Sequence, residues 1–475
     1  MFAKYLPIAL YLVLSFVLWN FTIDDNFISY RYARHLADGH GLVWNIAEPP
    51  VEGFSNLLWV LVLVGAGWLG LDIPLAAKIL SFVLGGTVIA MLPSFTRRLT
   101  GSSAWDWVPS LLLSLSIPWL LWSVAGGEVT LFSLFFLLLI WGFLESEGRS
   151  LKLSIGCVGM ILTRPDGTVY VAAALLADLI SSRPWREWLR QTAAPLILSV
   201  ATVAGIVAFR LAYFGDWVPN TLRAKVVTSF PGLALVGLWA ALALPFAAIL
   251  VWMYRAQHRR AFIVVVAIVL AANAFGVART SIVMNFIQRY HAFLLPVLFA
   301  PVPWLLQRTK SRNLAVLVIA VGIAWSAIAW PNAYAYARQE RFMCAYREEV
   351  AKDLAKGLPQ GSRIALVDVG IIGYRTSLPI IDIWGLCNSR IARQGFSIPT
   401  LLHEDFDICL LSVRATRDSS ELKITPAFGI DWALSKDSLF NARYTSVQVL
   451  RPDLVGQEPW KFYYLMFSRT NPPRQ

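Results

Sequence analysis

Charge is scarce in this chain. Only 15% of its 475 residues are Asp, Glu, Lys or Arg, against roughly 25% in soluble proteins, and that shortage excludes an ordinary soluble enzyme. Cysteine, with 4 residues, and histidine, with 5, are scarcer still. There is no CxxC pair and no HExxH helix, so neither a zinc site nor a dithiol redox motif is expected. A P-loop, a GxGxxG fingerprint, low-complexity tracts and repeats of roughly 20 to 50 residues are also missing. What fills the chain is apolar: 57% of it is hydrophobic and 20 residues are Trp. Apolar runs recur from residue 4 to residue 330, each of the order of the roughly 20 residues needed to cross a hydrocarbon core about 30 Å thick. The fold class expected is a polytopic α-helical membrane protein. Trp19, Trp105, Trp141, Trp217, Trp304 and Trp330 stand at the ends of these runs, where an amphipathic ring favours the headgroup layer.

The net charge of +12 would suggest nucleic acid in a soluble protein. Here the basic residues sit in short loops, so the positive-inside tendency accounts for them and no nucleic-acid partner is expected. The first run, Tyr5 to Thr22, follows Lys4 and lacks a small-x-small cleavage site, which reads as an uncleaved anchor with a cytoplasmic start. Basic loops at Arg97/Arg98, Arg149/Lys152, Arg183/Arg186/Arg190, Arg255/Arg259/Arg260 and Arg308/Lys310/Arg312 then mark the cytoplasmic side. Leu57 to Gly70 is too short to cross and reads as a re-entrant or interfacial helix. The expectation is about eleven spans, the last over residues 313 to 330, with the amino terminus cytoplasmic.

Two domains follow from this count. Residues 1–330 form the transmembrane part, with a first outer loop at 23–72, and residues 331–475 form a soluble extracytoplasmic α/β domain. In the latter, charges return and apolar runs shrink to strand length at Arg363 to Val367, Pro379 to Ile383, Ile408 to Leu411 and Phe462 to Phe467, after a helix expected at 341 to 357. Cys344, Cys387 and Cys409 fall here and Cys157 in a span; buried apolar roles suit all four.

Sorting the loops by side is informative. Cytoplasmic loops are short and chemically plain, whereas the outer ones mix acid and base, so chemistry belongs on the outer face. The stretch IDDNFISYRYARHLADGHG after the first span stands out. With Asp25 as N-cap, a helix over Asn26 to Asp38 puts Ile28, Tyr32, Ala33 and Leu36 on one face and Arg31, Arg34, His35 and Asp38 on the other, lying flat at the membrane surface. Capping needs one carboxylate, yet two stand side by side near two arginines. That set suits a reaction at a lipid phosphate: a carboxylate takes a proton from an attacking hydroxyl while a guanidinium forks onto the departing phosphate.

The stretch DDNFISYRYARHLADGHGLVWN followed by PPVEGFSNLLW resembles the opening of GT-C superfamily membrane glycosyltransferases that use polyprenyl-phosphate sugars, most like the terminal arabinofuranosyltransferase branch. GGEVTLF at 126 to 132, TRPDG at 163 to 167, YFGDWVPNTLRAK at 213 to 225, QRYHAFLLP at 288 to 296 and IALVDVGIIGYRTSLPIIDIWGL at 364 to 386 are similar to that branch in the expected order. The resemblance implies that Asp24 or Asp25 is the catalytic carboxylate, Asp24 being preferred because Asp25 is better placed to cap. It implies a polyprenyl-phosphate sugar donor, with arabinofuranose expected, and a glycan, lipid or pilin-like acceptor in the prokaryotic cell envelope.

Secondary residues carry two readings each. Arg31, Arg34, Arg164, Lys225 and Arg289 are candidates for the donor phosphate, against lipid contact, local pairing or snorkelling. Tyr30, Glu52, Asn56, Glu128, Asp166, Asn220 and His291 are candidates for sugar or acceptor contacts, against turn, capping and dipole roles. No metal-ligand cluster is present in the sequence, although Asp24 and Asp25 could hold a divalent cation with the donor phosphate. Both single and double displacement remain open. The rival classes are a transporter or flippase of lipid-linked sugars, disfavoured because polar residues gather at span ends and not in paired halves at the midplane, and an envelope scaffold.

Overall fold

A computed structural model describes residues 5–145, 149–182, 184–225, 229–280, 287–418, 421–455 and 462–470. The amino-terminal part is helical throughout: α1 (Leu6–Val17), α2 (Asp24–Ala37), α3 (Leu57–Trp68), α4 (Ile73–Thr100), α5 (Val108–Ser114), α6 (Ile117–Val124), α7 (Val129–Gly142) and α8 (Arg149–Thr163). It continues with α9 (Pro165–Ser182), α10 (Trp185–Phe214), α11 (Asn220–Lys225), α12 (Leu233–Arg255), α13 (Arg260–Ala278), α14 (Leu295–Phe299), α15 (Val302–Thr309) and α16 (Arg312–Gly357). Among the described residues six stretches are long and apolar enough to cross a membrane, seven if the bent pair α6 and α7 counts as one. Others among the expected crossings fall on shorter helices. The segment read as re-entrant is the 12-residue helix α3.

Local signals explain the boundaries. Asp72 caps α4 by accepting the Leu75 N–H at 2.8 Å, and Gly101 closes it at φ +77°, a left-handed conformation that glycine adopts without strain. The chain turns by 118° between α6 and α7, around Gly126 at φ +85°. A broken helix leaves carbonyls unpaired, costly in a low-dielectric interior. Here α2 and α3 supply the donors. Asn26 Nδ2 reaches the Ala125 carbonyl at 2.7 Å, and Tyr30 Oη and Trp59 Nε1 reach that of Gly126 at 2.8 and 3.2 Å. The break therefore fixes α2 and α3 onto the bundle and sets Glu128 at the head of α7.

The helix expected at 341 to 357 is not separate from the last span. Both belong to α16, 46 residues long and so about 69 Å, more than twice the hydrocarbon thickness. Its far end packs Tyr346, Val350 and Leu354 onto a six-stranded mixed sheet. The strands are β1 (Ile364–Leu366), β2 (Ile380–Asp382), β3 (Ile408–Asp418), β4 (Glu421–Pro426), β5 (Tyr444–Val449) and β6 (Tyr463–Arg469), in the order β2-β1-β3-β6-β5 with β4 on β3. β1 runs parallel to β2 and β3, while β6 is antiparallel to both β3 and β5. Helix α17 (Val369–Thr376) connects β1 to β2; α18 (Ser389–Gln394), α19 (Ile398–Leu402), α20 (Gly429–Lys436) and α21 (Ser438–Arg443) complete the domain. The four expected strands coincide with β1, β2, β3 and β6; β4 and β5, with charged or exposed residues, carry no comparable apolar run. All four cysteines are buried and none forms a disulfide.

Asp431 at the start of α20 is fully buried and accepts the N–H groups of Ser412 and Phe428, each at 3.1 Å. Burial nevertheless pushes its carboxyl up to about 7. The folded form then holds its proton more tightly than the unfolded chain, so the stability from this group is full below its ordinary value and is lost as pH rises through 7. Asp431→Asn is expected to flatten the fall in melting temperature between about pH 5 and pH 8; an unchanged pH profile would contradict this.

Candidate active site

Helix α2 begins at Asp24, with Ile23 at the N-cap position, so Asp25 is not the cap expected of it. Both acids lie in the first turn, where the helix dipole favours negative charge. Nor does α2 lie flat and open at the surface. It packs between α3, α4 and α17, and of its expected polar face Arg31 and His35 are buried and Arg34 half-buried, while Asp38 is exposed. Burial lowers the His35 pKa to about 4, and its Nδ1 lies 2.9 Å from the Val43 carbonyl.

The two acids face different ways. Asp24 accepts the backbone N–H groups of Gly370 and Ile371, both at 2.9 Å, and lies 3.8 Å from Arg347. Burial pushes its carboxyl up to about 6 against the pull of Arg347. Its side chain is 12% exposed, whereas that of Asp25 is 36% exposed and lines a polar hollow with Asn26, Ser29, Ser55, Asn56, Thr221 and Arg289. Leu386, from the turn after β2, closes one side. A larger groove along Leu12, Phe16 and Phe82 is apolar and holds no group for a phosphate.

Charge converges on this hollow from four separate segments. Arg289 Nη1 lies 3.3 Å from Asp25 Oδ2 and its Nη2 3.7 Å from Glu128 Oε1. Its guanidinium sits over the Trp122 ring, 5.5 Å from the centroid, and its buried Nε has no hydrogen-bond partner among the described residues. Glu128 also receives Arg164 Nη1 at 3.2 Å and Asn56 Nδ2 at 3.0 Å, and Ser29 Oγ donates to Asn56 Oδ1 at 2.9 Å. Arg164 forks onto Asp166 at 2.9 and 3.0 Å. Just before Arg289, Ile287 and Gln288 hold φ of +46° and +55°, a strained conformation for such residues and one common where geometry serves function. Among the described residues no cluster of three or more His, Cys, Asp or Glu could hold a metal. Asp24 and Asp25 engage different partners.

Several expected site residues make their contacts within the fold. Arg31 donates to the carbonyls of Trp44, Gly373 and Leu378 and to Asn45 Oδ1, stacked on Trp44. Arg34 lies over the Tyr374 ring at 4.4 Å. Tyr30 spends its hydroxyl on Gly126. Asn220 donates to the Gly385 and Leu386 carbonyls at 2.6 and 2.9 Å, pinning the turn that ends in the hollow. His291 is buried and stacked on Trp239, 4.6 Å between centroids. The Lys225 side chain lies outside the described residues.

Glu52 forms a fork with Arg210 at 2.7 and 2.9 Å, both partners largely buried. Glu52→Ala would leave that guanidinium unpaired, at a cost of about 3 to 5 kcal/mol. A sharp loss of melting temperature is expected, largely restored in Glu52→Gln/Arg210→Met. Unchanged melting with a raised donor KM would instead assign Glu52 to sugar recognition. Arg210 was detectable in the sequence as a charge inside an apolar run; Arg347 and Thr221 carried no such signal.

The comparisons agree with this architecture. ArnT from Cupriavidus metallidurans bound to undecaprenyl phosphate superposes with a TM-score of 0.57 at 14% identity, covering 97% of each chain. The same protein in the apo state gives 0.58 at 13% identity and the same coverage. An Archaeoglobus fulgidus oligosaccharyltransferase gives 0.54 at 9% identity, covering 93% of this chain and 78% of its own. One family model, described as Domain of unknown function (DUF8728), matches residues 326–463. No curated protein matches by sequence. The chain thus shares its fold with ArnT and with the archaeal oligosaccharyltransferase.

Proposed function

We propose that this protein transfers a sugar from a polyprenyl-phosphate donor to an acceptor at the outer face of a prokaryotic cytoplasmic membrane. The observation that carries the reading is Asp25, a carboxylate open to the hollow and 3.3 Å from a buried arginine that is itself anchored by Glu128. In the simplest scheme Asp25 takes the proton of the acceptor hydroxyl as its oxygen bonds the anomeric carbon. The bond from that carbon to the phosphate oxygen breaks, and its electron pair leaves on a phosphate held by Arg289. Glu128 orients Arg289 and Arg164, and Asn56 with Ser29 completes the polar wall. ArnT, crystallised with undecaprenyl phosphate, supports the donor class. The short basic loops support placing the carboxyl-terminal domain outside.

The sugar we assign is a pentofuranose, arabinose, on the strength of the motifs around the first outer loop and residues 213 to 225, 288 to 296 and 364 to 386. The test presents purified protein with polyprenyl-phosphate arabinofuranose and with hexose donors, against glycan, lipid and pilin-like acceptors. Transfer of arabinofuranose alone supports the assignment; transfer of a hexose alone overturns the sugar and leaves the enzyme class standing.

A further inference from the structure

Asp24 stands next to the proposed base yet points away from the hollow. Its two oxygens accept from Gly370 and Ile371, in the first turn of α17, whose N–H groups have no partner inside the helix. Asp368, at that helix's own N-cap position, does not cap it. Its carboxylate is drawn to Arg347 at 2.7 Å and to the Tyr464 hydroxyl at 3.1 Å. Asp24 therefore caps α17 from a helix some 346 positions earlier in the chain. The approach is so close that a Cβ on Gly370 would overlap the Asp24 carbonyl.

The contact continues along α2. Phe27 meets the Tyr374 ring edge-on at 5.7 Å, Arg31 donates to the Gly373 carbonyl, and Arg34 covers Tyr374. Positions 24, 27, 31 and 34 share one helix face. Asp25 follows about 100° further round, so holding that face against α17 fixes where Asp25 points.

We propose that Asp24 is a positioning residue: by capping α17 across the chain it sets the rotation of α2 that aims Asp25 at Arg289, making the carboxyl-terminal domain a working part of the active site. The proposal rests on the reading of Asp25 as the reacting carboxylate.

The test uses the full chain in lipid nanodiscs, with Asp24→Asn, Gly370→Ala and Asp25→Asn. Amide hydrogen exchange over residues 369 to 372 reads the cap, and steady-state transfer from the polyprenyl-phosphate donor reads its consequence. Asp24→Asn and Gly370→Ala are expected to speed exchange there by about tenfold, with strands β1, β3 and β6 still protected, while Asp25→Asn leaves it unchanged. Both cap variants should lower kcat by about 10²-fold with donor KM within about threefold of the parent. Unchanged exchange in Asp24→Asn would overturn the cap. Faster exchange with full kcat would overturn positioning, and a raised KM with intact kcat would make Asp24 a donor ligand. A parent that transfers nothing defeats the reading of Asp25 and the positioning role with it, whereas the exchange result still judges the cap alone.

Discussion

Asp25→Asn is expected to reduce sugar transfer by about 10³-fold or more, with the protein folded and its carboxyl-terminal domain still docked. A positioned general base contributes about 10² to 10⁴-fold, and an amide can neither take the acceptor's proton nor attack the anomeric carbon. The loss is therefore expected under single and under double displacement alike. The two differ in product: single displacement inverts the anomeric configuration and double displacement retains it, which the configuration of the transferred sugar distinguishes. Asp25 is the better candidate than Asp24 for reasons of geometry. It is three times as exposed and faces a guanidinium with donor capacity left over, whereas both oxygens of Asp24 are occupied by backbone amides.

The second large effect is expected at Arg289. A guanidinium spans Asp25 and Glu128 while offering its Nε to a third group; a lysine is a single point charge and cannot do all three. Arg289→Lys should lower kcat by about 10²-fold, comparable to removing one donor from a preorganised anion site, and should raise donor KM by about tenfold as a forked phosphate contact is lost. Arg164→Lys is expected to do less, because Asp166 already occupies one edge of its guanidinium. A larger effect at Arg164 than at Arg289 would mean that Arg164, and not Arg289, meets the phosphate.

Much of this was legible before the fold. The break between apolar runs at Gly126/Gly127, the acidic pair opening α2 and the crowding of polar residues at one set of span ends are all local features, written in spacing and residue type. Convergence was not. Asp25, Asn56, Glu128 and Arg289 lie up to 264 positions apart, and only the packing of α2, α3, α7 and the segment before α14 brings them together. The same holds for the contacts of Arg31 and Arg34. Arginines near the headgroup level suit phosphate by type, and nothing local reveals that α17, more than 330 residues later, would cover that face and supply carbonyls and an aromatic ring. The helix expected at 341 to 357 was likewise placed but not joined to the last span, because the change from apolar to charged composition at residue 331 looked like a boundary although the backbone runs through it. Where Asp24 is concerned, the sequence reading preferred it to Asp25, and nothing local reveals that its carboxylate turns to the distant backbone of Gly370 and Ile371.

The central claim is that the hollow at Asp25 transfers a sugar from a lipid phosphate. Its most direct measurement is the release of polyprenyl phosphate from a synthetic donor carrying a labelled sugar, by the parent and by Asp25→Asn at equal loading in nanodiscs. The account predicts release matched by label on the acceptor in the parent and neither in the variant. Equal release in both, or label moved across the bilayer still attached to its lipid, would contradict it.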